Sequence, residues 1–182
     1  VMFLIGRGRN GKGKYIEAIM RVLGKLLSCA APDGFLTVMR FERHPAELEI
    51  LRGRRLIVAS EIPKGATFNE ARLKQLSGGD DIAARGICQN FSDIRPTHKL
   101  TILANHKPYV RDETDAFWAR IRIVEFPVRY RMPHEAPDPS RPDADPYLSR
   151  KLALEDAGIF AWMVRGCLDY QREGLPCPAK VE

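Results

Sequence analysis

The chain has 182 residues, enough for one domain with a sizeable core. Its 29 lysine and arginine residues against 23 acidic residues give a net charge of +6, which is compatible with a polyanionic partner but does not require one. The scattered cysteines and histidines form no C-x-x-C pair and no ligand pattern, which argues against a zinc site or disulfide framework and favours reduced thiols in a cytoplasm. No apolar run has the length of a membrane span. Because the chain starts inside a strand pattern without a methionine, we expect a fragment of a longer protein.

The most informative stretch is G-R-G-R-N-G-K-G-K at Gly6 to Lys14, which follows the apolar run Val1 to Ile5. The run is typical of a buried strand, and the glycines allow successive backbone N–H groups to face one anion. Apolar residues at helical spacing follow, so a helix dipole would point at bound phosphates. These features predict a phosphate-binding loop with the candidate ligands Gly6, Gly8, Asn10, Gly11, Lys12, Gly13 and Lys14. The apolar face of the helix would comprise Ile16, Ile19, Met20, Leu23, Leu26 and Leu27.

Two alternatives to a nucleoside-triphosphate loop compete for these residues. The pattern G-x-x-x-x-G-K-[ST] is broken at Gly13, where a magnesium-binding hydroxyl is missing. The same glycines also spell G-x-G-x-x-G, the signature of a dinucleotide site, and Asp33 stands at about the distance of the acid that holds a ribose. However, P-D-G around Asp33 is typical of a turn, which favours the triphosphate loop. A basic surface turn would explain neither the flanking strand nor the helix.

The rest of the chain alternates between strand and helix patterns, which predicts an α/β fold with a five-stranded, mostly parallel sheet and helices on both faces. An irregular connection is expected at 131–147, a C-terminal helical segment at 148–182, and a weak point in it at Gly158. Trp162 is expected in the core rather than stacked on a base. Further strands are predicted at Phe35 to Phe41, Leu56 to Ala59, Lys99 to Ala104 and Ile121 to Phe126. Helices are predicted at Pro45 to Leu51, Glu70 to Leu76 and Leu148 to Tyr170, with paired short strands between Asp80 and Pro96.

Polar residues follow two of the predicted core strands. Glu61 follows Leu56 to Ala59, and Asn105 follows Lys99 to Ala104. Since ligands bind at the carboxyl ends of parallel strands, Glu61 could hold magnesium through water and polarise an attacking water, and Asn105 could orient a water beside the terminal phosphate. A solvated glutamate and a turn-forming asparagine are the ordinary alternatives, and for Asn105 the two interpretations are about equal.

Five ordered segments resemble the superfamily-three helicases, AAA+-type motors of viruses and plasmids, and in particular the phage and plasmid primase-helicase family. They span most of the chain. The segments are G-R-G-R-N-G-K at 6–12, R-L-I-V-A-S-E at 55–61, L-K-Q-L-S-G-G-D at 73–80 with Arg85, K-L-T-I-L-A-N-H-K-P at 99–108 and F-W-A-R-I-R at 117–122.

The resemblance implies an AAA+-like ring, a hexamer in the family, with ATP and Mg²⁺ bound between subunits. Lys12 would hold the outer phosphates, Glu61 would act on magnesium and water, and Asn105 would sense the terminal phosphate. Arg120 would be the finger that reaches a neighbour's site, with Arg122 as the fallback because Ala119 replaces a second arginine. Lys74 and Arg85 would lie near a DNA-facing hairpin in the central pore.

The resulting prediction is an ATP-dependent helicase or translocase module acting on single-stranded or forked DNA in phage or plasmid replication, in the cytoplasm of a bacterial host. Residues 1–130 would form the ATPase core, and a primase-type region would precede them in the full protein. The alternative is a nucleotide-dependent scaffold or loader that assembles on DNA without unwinding it. A dinucleotide-binding oxidoreductase is disfavoured by Lys12 and Asn105.

Overall fold

A computed structural model describes residues 1–38, 44–59, 67–86, 90–107 and 114–175. Strands and helices alternate through most of this length. The strands are β1 (Met2–Ile5), β2 (Ser28–Ala30), β3 (Leu56–Ala59), β4 (Ile82–Ala84), β5 (Ser92–Ile94), β6 (Lys99–Ala104) and β7 (Arg122–Glu125). The α-helices are α1 (Lys12–Leu27), α2 (Glu70–Gly78), α3 (Asp115–Trp118), α4 (Leu148–Leu154) and α5 (Asp156–Glu173), and Pro45–Leu51 is a 3₁₀ helix.

Five strands form one parallel sheet in the order β2-β3-β6-β1-β7. The first strand lies between β6 and β7, in the register Ile5 beside Ala104 on one side and Glu125 on the other. Because all five strands run the same way, their carboxyl ends meet at one edge of the sheet, where ligands bind in open α/β folds. The predicted five-stranded sheet is confirmed.

One predicted strand, Phe35 to Phe41, is wrong over its described part. Residues 33–36 form a turn, in which the backbone N–H of Phe35 donates to the carbonyl of Pro32 (3.0 Å). Thr37 makes only an isolated antiparallel bridge with Phe68, and 39–41 lie outside the described residues. The apolar pattern arose because Phe35 and Leu36 are buried as turn residues, and the fifth strand of the sheet is instead β2.

Side chains alternate between the two faces of the sheet, as the pleat of a strand requires. Leu4, Leu56 and Val58 pack with Ile16 of α1 on one face. Phe3, Ile5 and Ile57 belong to the larger cluster on the other face, with residues of α2, α3 and the 3₁₀ helix. Helices on both faces are therefore confirmed. Leu26, assigned to the apolar face of α1, is 86% exposed, because Gly24 adopts a non-helical φ of 71° and breaks the helical phase.

The elements between β3 and β6 match their predictions. The second helix begins at Asn69, whose Oδ1 accepts from the backbone N–H of Arg72 (2.9 Å), a side-chain N-cap. It ends before Gly79, which has the left-handed φ of 91° that glycine adopts without strain. The fourth and fifth strands pair antiparallel, with Ile82 opposite Ile94, so the paired short strands are confirmed.

The C-terminal helices lie against α1, and the predicted weak point is displaced. The helix breaks at Glu155 between α4 and α5 rather than at Gly158. The carboxylate of Asp156 then accepts from the Nε and Nη2 atoms of Arg21 at 2.9 and 2.6 Å, which joins α5 to α1. Trp162 is 52% exposed, so its assignment to the core is wrong. Four further apolar residues of this helix are exposed as well: Phe160, Val164, Cys167 and Leu168.

Candidate nucleotide-binding site

The loop between β1 and α1 turns through several left-handed residues. Gly8 and Gly11 have φ of 88° and 87°, and Arg9 has φ of 51°. The left-handed conformation costs glycine little, whereas it costs a residue with a Cβ about 1–2 kcal/mol, so surrounding contacts must hold Arg9 in place. Such a succession of left-handed residues turns backbone N–H groups toward a common point, as an anion-binding loop requires.

Gly6 is required at the start of this loop for a different reason. A Cβ on Gly6 would lie 2.0 Å from Asn10 Nδ2 and 2.5 Å from the carbonyl oxygen of Phe126. Gly6 also donates its backbone N–H to the carbonyl of Ala104 (3.1 Å), which ties the loop to the end of β6. Close packing of the backbone, rather than a special φ, therefore excludes any side chain at this position.

Lys12 opens α1 and is buried, with 6% of its surface exposed. Its Nζ donates to the carbonyl of Gly6 and to Asn10 Oδ1 (3.3 Å). Asn10 in turn donates from Nδ2 to the carbonyl of Phe126 (3.1 Å), so it joins the loop to the end of β7. The Lys12 ammonium therefore lies among loop oxygens at the N-terminus of α1, where the helix dipole favours an anion.

The next two candidates of the loop lie on the exposed side of the helix. A Cβ on Gly13 would meet no atom within 4 Å, so nothing steric excludes the hydroxyl residue that the usual motif carries there. Lys14 is exposed and pairs with Glu17 through Nζ and Oε2 (2.8 Å). Lys14 thus makes a surface ion pair within α1.

A cavity of about 550 Å³ adjoins the loop at the carboxyl edge of the sheet. This volume suits a nucleotide-sized ligand. Asn105 lines the cavity together with the loop, so the structure brings these two predicted parts of the site together. The described residues of its wall come from three strand ends: Ile5, Gly6, Arg7, Gly8 and Asn10 after β1, Asn105, His106 and Lys107 after β6, and Glu125, Phe126, Pro127, Val128 and Arg129 at β7.

The cavity wall carries more positive than negative charge. Arg7, Lys107 and Arg129 contribute guanidinium and ammonium groups, and Glu125 contributes a carboxylate. Lys107 Nζ and Glu125 Oε1 lie 3.7 Å apart at the surface, where solvent strongly screens the attraction between the two charges. The remaining excess of positive charge favours an anionic ligand.

Arg120 lies at the other edge of the sheet. Its carbonyl accepts from the nitrogen of Val1 (2.6 Å), at the start of β1, and its Nη1 donates to the carbonyl of Ala116. Four-residue strands separate this edge from the loop between β1 and α1, which we call the phosphate loop, by roughly 13 Å of backbone. Arg122 also lies at this edge and donates to the carbonyl of Ile121 (2.8 Å). Neither arginine is placed to reach the cavity of its own chain.

The predicted DNA-binding residues lie on α2 and on the β4–β5 pair. Lys74 Nζ stands 5.9 Å from the ring centre of Phe117. Arg85 directly follows β4, and its guanidinium carbon lies 5.0 Å from the ring centre of Phe91, which is 61% exposed. Sequence reasoning missed Phe91, although an aromatic residue directly before β5 was visible. Glu61, the predicted magnesium and water residue, lies outside the described residues.

Sequence reasoning also missed the contact between the phosphate loop and the segment after β7. The backbone N–H of Tyr130 donates to the carbonyl of Arg9 (2.8 Å), and Arg9 Nη1 pairs with Glu135 Oε1. Glu135 belongs to the stretch 131–147, for which the sequence predicts only an irregular connection. No periodic pattern marks such a segment, and 126 residues separate the partners along the chain.

A family model matches residues 4–122, from β1 into β7, and is described as a family of unknown function, DUF5906. The match includes the phosphate loop, Asn105 and Arg120. The chain belongs to the DUF5906 family.

Relatives of this DUF5906 chain include viral proteins. It is 29% identical over 87% of its length to "Putative helicase 121R" of Invertebrate iridescent virus 3, and 29% identical over its full length to "Putative helicase 022R" of Frog virus 3. Another, from African swine fever virus, is named a "Putative primase", at 26% identity over 78% of the chain. The chain spans 17%, 20% and 15% of these relatives' lengths, respectively. The names confirm the resemblance to viral helicases and primase-helicases.

The fold is shared with the C-terminal region of NrS-1, in its A-form apo structure. The TM-score is 0.63 at 14% identity, over 86% of this chain and 34% of that chain. This likeness, with the strand, phosphate loop and helix described above, confirms the predicted α/β fold class.

Neither a membrane span nor a metal cluster is seen in the part of the chain that the structure describes. No helix there combines the length and apolar character that crossing a bilayer demands. No three His, Cys, Asp or Glu side chains of the described ranges gather closely enough to hold a metal ion.

Proposed function

We propose that this chain is the ATPase module of a DNA helicase or translocase that acts in phage or plasmid replication in a bacterial cytoplasm. One observation carries the proposal: residues of the phosphate loop and the polar residue Asn105 border one nucleotide-sized cavity, and buried Lys12 bonds to two of those loop residues, Gly6 and Asn10. The relatives' helicase and primase names agree with this assignment. A primase-type region would belong to the remainder of the full protein.

In this proposal ATP binds with its phosphates against the loop. Lys12 neutralises the outer phosphates, the backbone N–H groups of the loop and the helix dipole hold the inner ones, and Asn105 orients water at the terminal phosphate. The loop fits a polyphosphate, because the left-handed residues Gly8 and Gly11 turn backbone N–H groups toward a common point. The bound nucleotide would bring Mg²⁺, with Glu61 as its proposed protein contact, and the metal would neutralise charge on the outer phosphates.

Self-association completes the proposed site. Arg120 lies at the amino edge of the sheet, far from the cavity of its own chain, so its proposed role as a finger requires a second subunit. A positive charge inserted by a neighbour would stabilise the transferring phosphoryl group. A ring, a hexamer by family resemblance, provides such a neighbour at every site.

DNA would contact the β4–β5 pair and α2. Lys74 and Arg85 would meet backbone phosphates, which makes binding dependent on salt and independent of sequence. The exposed ring of Phe91 beside Arg85 adds a surface on which a base could stack. Variants at these positions should weaken stimulation of turnover by DNA without altering ATP binding.

The test is ATP turnover as a function of protein concentration, with and without single-stranded DNA. We expect turnover to rise steeply with concentration, to respond to DNA and to vanish in Lys12→Ala. Lys14→Ala is the matched control, because it removes the same charge two residues away from an exposed ion pair. Equal effects of the two variants would contradict the assigned role of Lys12. ATP-dependent oligomers with no DNA response would support a scaffold or loader, and binding of a nicotinamide cofactor but not ATP would support a dinucleotide site.

A further inference from the structure

The segment that follows β7 is held by its own ion pairs and backbone hydrogen bonds. Arg131 and Asp143 form a bridge between two stretches of it, in which the N–H of Arg131 donates to Pro142 and the N–H of Ala144 donates to Arg131, both at 2.8 Å. The side chains of Arg131 and Asp143 also pair. Arg141 Nε donates to Asp138 Oδ2 (2.7 Å). The segment is therefore a loop with a defined conformation, although it contains no helix or strand.

Glu135 is fixed within this loop before it meets any other part of the molecule. Its Oε2 accepts from the backbone N–H of Met132 (2.9 Å) and lies 3.6 Å from Arg141 Nη1. Its carbonyl accepts from Arg131 Nη1 (3.1 Å). The backbone N–H of Met132, followed by the charge of Arg9, lowers the pKa of the Glu135 carboxyl. The carboxylate is thus ionised and oriented, with Oε1 directed at the phosphate loop.

Arg9 is the point at which this loop contacts the phosphate loop. The carbonyl of Arg9 accepts from the backbone N–H of Tyr130, and the guanidinium of Arg9 pairs with Glu135. The segment after β7 therefore holds both the backbone and the side chain of Arg9. Arg9 is also the one described residue other than glycine with a positive φ. Its neighbours Arg7, Gly8 and Asn10 line the cavity, whereas the Arg9 side chain lies against Glu135.

We propose that Glu135 is a positioning residue of the nucleotide site, which holds the phosphate loop in its anion-binding conformation through Arg9. The pair compensates the strain at a left-handed arginine and keeps that guanidinium out of the cavity. This inference rests on the proposed nucleotide site and adds a segment, 130–145, to it. In the alternative, which we call a latch, Arg9 is a phosphate ligand and its ion pair with Glu135 keeps it away from the phosphates.

The decisive variant is Glu135→Gln, which removes the charge and keeps an oxygen for the N–H of Met132. The structure predicts about three- to tenfold weaker binding of Mg-ATP, as for a partly exposed, charge-assisted hydrogen bond that the folded loop supports. Affinity would be measured by calorimetry on the 182-residue chain, with thermal unfolding as a check on folding. A latch predicts the opposite sign, since a released Arg9 would tighten binding.

Asp138→Asn is the matched control, since Asp138 lies three residues away and contacts only Ser140 and Arg141 among the described partners. It should leave ATP affinity unchanged within about twofold, as is usual for exposed ion pairs. A second background, Arg9→Gly, keeps the left-handed conformation without strain and removes the guanidinium. In that background Glu135→Gln should have no further effect, because Glu135 acts through Arg9.

Three outcomes would overturn the proposal: unchanged or tighter binding in Glu135→Gln, an equal loss in Asp138→Asn, or an undiminished loss in the Arg9→Gly background. Failure of the nucleotide site itself is distinguishable, because the parent chain would then show no ATP binding that Lys12→Ala abolishes. That result would contradict both proposals, whereas the first three outcomes would contradict only the role of Glu135.

Discussion

The two edges of the parallel sheet are built differently. At the carboxyl edge, Gly6, Asn10 and Phe126 are joined by short backbone and side-chain contacts around a cavity. At the amino edge, Arg120 bonds to Ala116, and His98 is buried just before β6; neither Arg120 nor His98 lines the cavity. The carboxyl edge carries the proposed nucleotide site within one chain, whereas the proposed finger at the amino edge would act on a second chain.

The largest expected effect distinguishes ATP binding, proposed for the carboxyl edge, from ATP turnover, which would also need Arg120 at the amino edge. Lys12→Ala should abolish ATP binding, whereas Arg120→Ala should bind ATP normally and lose about 10³-fold in turnover, the lower range for an arginine finger. Mixing the two inactive variants should restore turnover, because some interfaces then combine an intact loop with an intact arginine. Turnover in the mixture would be compared with that of each variant alone at equal total concentration. A mixture that stays inactive would contradict a finger acting between subunits.

A second experiment compares two glycines of the carboxyl edge. Gly6→Ala should lower the free energy of unfolding by about 1–3 kcal/mol, because its Cβ would overlap Asn10 and the Phe126 carbonyl. Gly13→Ala should raise it by up to about 1 kcal/mol, because the position is helical and open. Urea unfolding measures both, and a Gly6→Ala variant at least as stable as the parent would contradict the close packing at Gly6.

A smaller effect concerns magnesium at the same edge. Gly13→Thr supplies the hydroxyl that the loop lacks and should lower the magnesium concentration for half-maximal ATP binding by about threefold, since hydroxyl oxygens suit this cation. Gly13→Ala is the control, because it adds a Cβ but no oxygen. An equal response in both variants would assign the change to helix stability.

The smallest expected effect lies at the amino edge and depends on pH. Burial lowers the pKa of His98 below its ordinary value of 6.5, an effect that the backbone of Leu76 partly offsets. The unfolded chain therefore takes up a proton first, and stability is full above pH 6.5 and falls as the pH drops below it. The melting temperature should decrease between pH 7.5 and 5.5, and His98→Asn should reduce that decrease. An unchanged pH dependence in His98→Asn would assign the decrease to other groups.

The carboxyl edge was the more predictable from sequence, because its signals are local. The apolar run of β1, the glycines and the helical spacing of α1 are contiguous, and the positions of Lys12 and Asn105 follow from strand ends that all parallel strands share. The strand predicted at Phe35 failed since burial alone cannot distinguish a buried turn from a buried strand. The exposure of Trp162 was missed because helical periodicity reports an apolar stripe and not whether anything covers it.

Local stereochemistry and hydrophobic spacing in the chain were sufficient to specify the phosphate loop, the α/β fold class and the alternation of its strands and helices. The use of β2 as the fifth strand, the placement of Arg120 opposite the cavity and the pairing of Arg9 with Glu135 were settled in three dimensions. Each depends on which distant segments pack together, and the energy of that packing is shared among residues that no short window of sequence contains.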